Sequence, residues 1–525
     1  MSEVRLLTVA AMIVAVAAAA HSAAAAQEPA GAGKEMYDRW CAECHGYDGK
    51  GDGSAASRML PRPRDFTPGV YQIRTTASGE LPTDEDVFAV IRDGVPGTAM
   101  PGWRSKLSDA QMRDLVSYIK TFSRFFEQMG APEPLEFGSP PRGGGEEAVA
   151  EGRRFYEEIE CWKCHGDAGR GDGPSAPTLQ DDLDFPIRAT DLSENWNFNG
   201  GGSVEAIYRR LRTGLDGTPM PSFSDLLAAD FMTEEQLWHL AQYVRSLSPE
   251  RPPHVREAIA AARVEGELPA APDDSGWADV ERFYIPLVGQ IIEESRWFAP
   301  TVDGVWVQAL HNDEELALRL VWHDPSESPD RSWLEWQDLV ARAMYPPDDS
   351  VGVTPLPDRF AVQFPTSIPR GRERPYFLMG DRRRPVYLWQ WASQPAGAVE
   401  QSASGLGSAR AIAGEGSLES QAVWDAGEWR LVLRRAFASP DTSAILQFEV
   451  GESIPIAFFA WDGSNGESGS RMSVSTWYSI FLERATPATV YISPVLAILL
   501  TVGLGMLVVW RAQSRGGAAD GPRGS

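Results

Sequence analysis

Two periodicities divide this chain. In "DAQMRDLVSYIKTF" (109–122) and "TEEQLWHLAQYVRSL" (233–247) apolar residues recur at three- and four-residue steps, which gathers them on one face of a helix. "TDEDVFAVIRDG" (83–94) and "SVEAIYRRLRTG" (203–214), each before a methionine loop, also read as helices. Beyond residue 276 the texture changes. "VWVQAL", "LALRLVW", "FAVQFP", "VYLWQW", "EWRLVLRR" and "IPIAFFAW" are short runs rich in Val, Trp, Tyr and Phe, bounded by Gly, Pro and Asp. They predict strands of a sandwich or barrel.

Unbroken apolar runs lie at both ends. Residues 6–20, "LLTVAAMIVAVAAAA", follow Arg5 and lead into an alanine-rich stretch with small-residue cleavage near Ala26; this predicts a secretory signal over 1–26. Residues 490–510, "VYISPVLAILLTVGLGMLVVW", are 21 residues without a charge, enough to cross about 30 Å of hydrocarbon. Arg511, Arg515 and Arg523 follow. By the positive-inside rule they hold the tail 511–525 in the cytoplasm and everything before the span on the outer, periplasmic face of the cytoplasmic membrane.

Between the ends, Pro/Gly-rich stretches mark linkers at 128–147 and 249–275. The expected domains are therefore 30–127, 148–248 and 276–484, the first two helical and the third all-β. Net charge is −25, from 73 acidic against 48 basic residues, which excludes nucleic acid as a natural partner and could steer a basic electron carrier.

The chemistry sits in a repeat. "CAECHGYDGKGDG" starts at Cys41 and "CWKCHGDAGRGDG" at Cys161, and these two boxes hold all 4 cysteines of the chain. Zinc would need four ligands in one cluster, and a redox dithiol needs no histidine after its second cysteine. Cys-x-x-Cys-His is the c-type haem attachment signature: Cys41, Cys44, Cys161 and Cys164 would form thioethers to the vinyl groups, and His45 and His165 would ligate the irons. Met100 follows His45, and Met220 follows His165, by the same 55 residues. Both sit in a Gly-Thr-x-Met-Pro loop, so both are the expected sixth ligands, ahead of Met59 and Met232. Outside the boxes the two helical modules contain only His239, too few histidines for bis-histidine ligation. Met/His ligation raises the haem potential.

These residues resemble the class I cytochromes c over roughly 30–125 and 145–248. The resemblance implies two covalently bound haems c, and it places Tyr118 and Tyr243 where an aromatic packs the closing helix on the first one.

In the third domain no Ser/His/acid order, paired-histidine metal site or phosphate loop is evident. His311 and His323 read as surface residues. The ordered phrases "FYIPLVGQ", "ALHNDEELALRLVWHDPS", "DRFAVQFP", "YFLMGD", "VYLWQW", "DAGEWRLVLRR" and "IPIAFFAWDGSNGESGSRMSVSTW" resemble the haem b-binding subunit of ethylbenzene dehydrogenase and of other type II molybdenum enzymes of the dimethyl sulfoxide reductase family. That resemblance implies one noncovalent haem b held by Met379 and by a lysine before the final tryptophan. Met472 stands where the lysine is expected, beside Arg471, and arginine has no lone pair to donate.

The fold expected is multidomain: two all-α cytochrome c domains, an all-β sandwich haem-binding domain and one C-terminal transmembrane helix. Three functions compete. The first is an electron-transfer subunit, itself without a catalytic site, between molybdopterin and iron–sulfur partner subunits and a soluble or membrane carrier. The second is a carbohydrate- or ligand-binding sandwich fused to a dihaem cytochrome. The third is a haem peroxidase or oxidase, which would require a five-coordinate iron.

Overall fold

The computed structural model describes residues 29–141, 145–344, 353–369, 373–412, 417–440, 444–485 and 489–516; the expected signal peptide and the end of the tail lie outside them. Each cytochrome module is built on a crossing of its first and last helices. Pro29–Trp40 packs on Asp109–Lys120, and Glu146–Glu158 packs on Glu234–Ser246. Glycine makes the close approach: a Cβ on Gly33 would lie 2.3 Å from the Asp114 carbonyl oxygen, and one on Gly152 would lie 2.1 Å from that of His239. The expected tyrosines complete the crossing, Tyr118 edge-on to Tyr37 at 5.4 Å and Tyr243 edge-on to Tyr156 at 5.3 Å. Ser108 with Gln111 and Thr233 with Gln236 form reciprocal capping boxes, each satisfying backbone N–H groups that the first helical turn leaves free.

The third domain is a sandwich of two sheets. The first contains β1 (Ala258–Arg263), β2 (Phe283–Pro286), β4 (Gly304–His311), β5 (Glu315–His323), β10 (Glu419–Asp425), β11 (Glu428–Ala436) and β14 (Tyr478–Leu482). The second contains β3 (Val288–Gly289), β6 (Arg359–Pro365), β7 (Val386–Ala392), β8 (Gly397–Ala403), β9 (Arg410–Ala411) and β13 (Ser473–Val474). Strand β12 (Ser453–Trp461) joins them: its first half pairs with β14 and its second half with β6. Apolar side chains of both inner faces, Trp322, Phe360, Trp389 and Phe458 among them, form one core. All six runs singled out as strands are strands.

Four expectations change. The stretch 249–275 is not wholly a linker, because β1 lies inside it and pairs in parallel with β14 and β4; its sequence AIAAAR has a single β-branched residue and no strand signature. The sandwich also carries one helix, Leu334–Met344. His311 is fully buried, its Nε2–H donating to the Glu483 carbonyl at 2.9 Å. His323 is half-buried, its Nε2–H donating to the Arg170 carbonyl across a domain boundary at 2.5 Å. Strand-end histidines look like surface residues until another segment covers them.

The C-terminal helix runs from Thr489 to Gly516, past the charge-free run at both ends. Its segment Ile492–Ser514 is long and apolar enough to cross a membrane, and none of it is buried against the rest of the protein.

Candidate functional site

Each Cys-x-x-Cys-His box folds into a single helical turn, Ala42–His45 or Trp162–His165, ended by a glycine with positive φ, Gly46 or Gly166. The turn brings the histidine back under the segment that follows. His45 Nδ1–H donates to the Arg64 carbonyl at 3.0 Å, and His165 Nδ1–H donates to the Thr190 carbonyl at 2.9 Å. A carbonyl can only accept, so the proton is fixed on Nδ1 and the lone pair on Nε2 is left for a metal. Burial lowers the pKa of both imidazoles and keeps them neutral. Burial also pushes the Cys41 and Cys161 thiols up to about 12.

The accepting carbonyls are set by a second repeat absent from the sequence reading. In "RDFT" the Asp65 carboxylate accepts from Thr67, and in "TDLS" the Asp191 carboxylate accepts from Ser193. The Asp-x-Thr/Ser pattern just after the accepting residue was its only sequence signal.

The methionine loops are superimposable in their bonding. Val95 N–H donates to Met100 O and Leu215 N–H to Met220 O, both at 3.0 Å, while the Thr98 and Thr218 hydroxyls accept from the two methionine amides, both at 3.2 Å. In the first module Met100, Cys41, Cys44 and His45 line one cavity of about 370 Å³, with Trp103 and Phe66 among its apolar walls. Met59 lines it too, but from outside the repeated loop. In the second module Met220, Cys161 and Trp162 pack around one core, in which Met232 is buried. The donor set and the cradle therefore fit a haem covalently held between histidine and methionine.

The second module contacts both other domains, which also touch each other where the Arg62 guanidinium of the first module donates to the Ala343 carbonyl of the sandwich. Toward the first, the fully buried Arg74 guanidinium binds the Thr213 carbonyl and the Asp216 carboxylate, each at 2.7 Å. Asp181, Leu183 and Ile187 of the second module also line the first module's cavity. Toward the sandwich, Arg170 pairs with Glu428 at 3.0 Å and Arg188 donates to the Thr301 hydroxyl at 2.6 Å.

Met379 and Met472 meet in an apolar cluster of their own on the second sheet, with Leu378, Leu388, Phe459 and Trp461. Met379 holds a left-handed backbone, φ 59°, which a long side chain adopts only when its surroundings impose it. No lysine occurs in the chain after Lys163, so no amine is available on the sandwich. Two thioethers in an apolar setting fit a soft-ligated haem iron.

Comparison with known proteins finds three family matches in succession along the chain. Residues 28–119 match the model for subunit III of cbb3-type cytochrome c oxidase, 149–248 match cytochrome c, and 274–417 match ethylbenzene dehydrogenase. The putative respiratory nitrate reductase heme subunit ORF7 of Haloferax mediterranei is 25% identical over 253 residues, 48% of this chain and 83% of that protein. The chlorate reductase subunit gamma of Ideonella dechloratans is 28% identical over 149 residues, 28% of this chain and 57% of its own. The solved Kuenenia stuttgartiensis reducing HAO-like protein complex Kustc0457/Kustc0458 is 44% identical over 42% of this chain and 96% of that one, with a TM-score of 0.39. The chain thus consists of two cytochrome c domains followed by an ethylbenzene dehydrogenase-like domain, and it is a haem c-bearing electron-transfer protein.

Proposed function

We propose that this protein is the membrane-anchored haem subunit of an oxidoreductase complex of the dimethyl sulfoxide reductase family, relaying electrons between molybdopterin and iron–sulfur subunits and a periplasmic or membrane carrier. The observation that supports this reading is the duplicated histidine–methionine arrangement, in which the hydrogen bond to the histidine, the methionine loop and the helix crossing recur in matched geometry in both modules.

Bound haem supplies a one-electron couple; the chain's own residues do the rest. His45 and Met100 would hold one haem c, His165 and Met220 the second, and the four cysteines would anchor both. Met379 and Met472 would hold one haem b. Because each haem would be held by two protein side chains, the substrate chemistry would belong to the partner subunits. The second cytochrome domain touches both of its neighbours, and its residues wall the first crevice. The helix Thr489–Gly516 would fix the relay at the membrane, haem domains outside.

The test is a pyridine haemochrome assay on the purified full-length protein, which should return c and b haem in a two-to-one ratio. Replacing Cys161 and Cys164 together should leave one covalent haem. A pure c-type signal would remove haem b from the proposal, and a single covalent haem in the unaltered protein would remove the relay.

A further inference from the structure

Three strands of the sandwich end at one place. Asp324 follows β5, Asp358 precedes β6 and Asp462 follows β12. All three carboxylates are fully buried, and one oxygen from each lies within 4.8 Å of the others. Glu467, also buried, lies beside them, its carboxylate accepting from Asp462 N–H at 3.1 Å and from Trp297 Nε1–H at 2.9 Å. The neighbouring cation is Arg188 of the second cytochrome domain, half-buried and within electrostatic reach of Asp324, Asp462 and Glu467. Four buried carboxylates thus face one guanidinium, and burying uncompensated charge is costly.

The hydrogen bonds locate the deficit. Asp358 accepts from Ser328 N–H, Trp429 Nε1–H and Gly463 N–H at 2.7–3.1 Å. Asp462 accepts from Ser464, Asn465 and the Thr301 hydroxyl. Asp324 accepts at one oxygen from Ser326 N–H at 3.2 Å, but its Oδ2 is buried with no hydrogen-bond partner. No protein donor satisfies this oxygen, which is costly to leave buried and bare. A cation would. Calcium–oxygen bonds of about 2.3–2.6 Å place ligand oxygens up to about 5 Å apart across the ion, and the observed separations fall within that limit. Burial and the mutual repulsion of these carboxylates push the pKa of Asp324 and Asp358 well up, the penalty that a bound cation would relieve.

We infer that Asp324, Asp358 and Asp462 form a binding site for a calcium-sized divalent cation, closing the end of the sandwich on which the second cytochrome domain docks through Arg188 and Thr301. The all-oxygen donor set selects a hard ion over zinc or copper. Its role is structural: it ties three strand ends together beneath the domain contact.

Elemental analysis of the full-length protein, desalted after equilibration with CaCl2, should find one calcium per chain, and Asp324→Asn should lose it. EGTA should lower the unfolding temperature of the unaltered protein, and excess CaCl2 should restore it, with no such response in Asp324→Asn. Absence of stoichiometric calcium together with indifference to EGTA would overturn the site, as would a calcium response that persists in Asp324→Asn. Should Asp324→Asn fail to fold, calcium content and EGTA reversal in the unaltered protein decide the question alone.

Discussion

Gly31 and Gly33 lie on the same helix two residues apart, yet a single methyl group should act on them in opposite directions. A Cβ at Gly31 meets nothing within 4 Å, whereas at Gly33 it would lie 2.3 Å from the Asp114 carbonyl oxygen and 2.9 Å from Tyr118 Cβ. Non-bonded contact is optimal near about 3.5 Å, so Gly33→Ala must part the first and last helices by roughly 1 Å. Backbone cannot rotate out of the way as a long side chain can. Overpacking of this kind costs about 1–3 kcal/mol, while replacing glycine by alanine within a helix returns about 1 kcal/mol. Gly31→Ala keeps the whole of that gain; Gly33→Ala loses it in the clash. The two variants should differ by roughly 2 kcal/mol, or about 10 °C for a domain near a hundred residues. Because three domains do not melt as one two-state unit, the appropriate assay is amide hydrogen exchange of 112–119, followed by mass spectrometry in the whole protein. Protection should fall about fivefold in Gly33→Ala and rise about fivefold in Gly31→Ala, since about 1.4 kcal/mol is a factor of ten. Equal protection in the two variants would refute the close helix crossing. The loss should also reach the haem crevice, because Tyr37, which packs on Tyr118, lines the cavity.

Met100→His and Met220→His should each lower the potential of one c haem, since Met/His ligation is what raises it; redox titration showing both potentials unchanged would remove the two methionines as ligands. Met472→Ala should loosen or lose b-type haem while both c haems remain, and Met472→Lys, which restores the amine of the resembled family, should lower the b-haem potential; full retention with an unaltered spectrum in Met472→Ala would make Met472 a core residue. At the contact between the second cytochrome domain and the sandwich, burial and then the charge of Asp303 raise the pKa of Glu194. A raised carboxylate favours the folded state below its unfolded value, near about 4.3, and that stability is lost as pH rises through the folded value. Thermal unfolding should therefore fall with rising pH from weakly acidic to alkaline conditions, and Glu194→Gln should flatten the slope; an unchanged slope would place the pH dependence elsewhere.

Local chemistry made much of this protein legible in advance. Cys41, Cys44 and His45 act within one helical turn, and the loops bearing Met100 and Met220 lie at one fixed distance from their boxes, so repeating the motif repeated the site. The closing helices were readable for the same reason, their apolar faces being written within a few turns of chain. Runs of Val, Trp and Phe identified the longer strands, because strands such as β6 and β12 are buried along nearly their whole length and show it in their own sequence. What escaped was decided by partners far away in the chain. β1 is a strand because β14 and β4 flank it, not because of its alanines. His311 and His323 are buried or half-buried by Glu483 and Arg170, segments that no local pattern ties to them. Arg74 and Asp216 form a buried pair only because two domains fold against each other. Asp324, Asp358 and Asp462 each read as an ordinary acidic residue at a strand end. Only the sandwich brings their carboxylates within reach of one ion, because charge accumulates by distance in space and sequence records only distance along the chain.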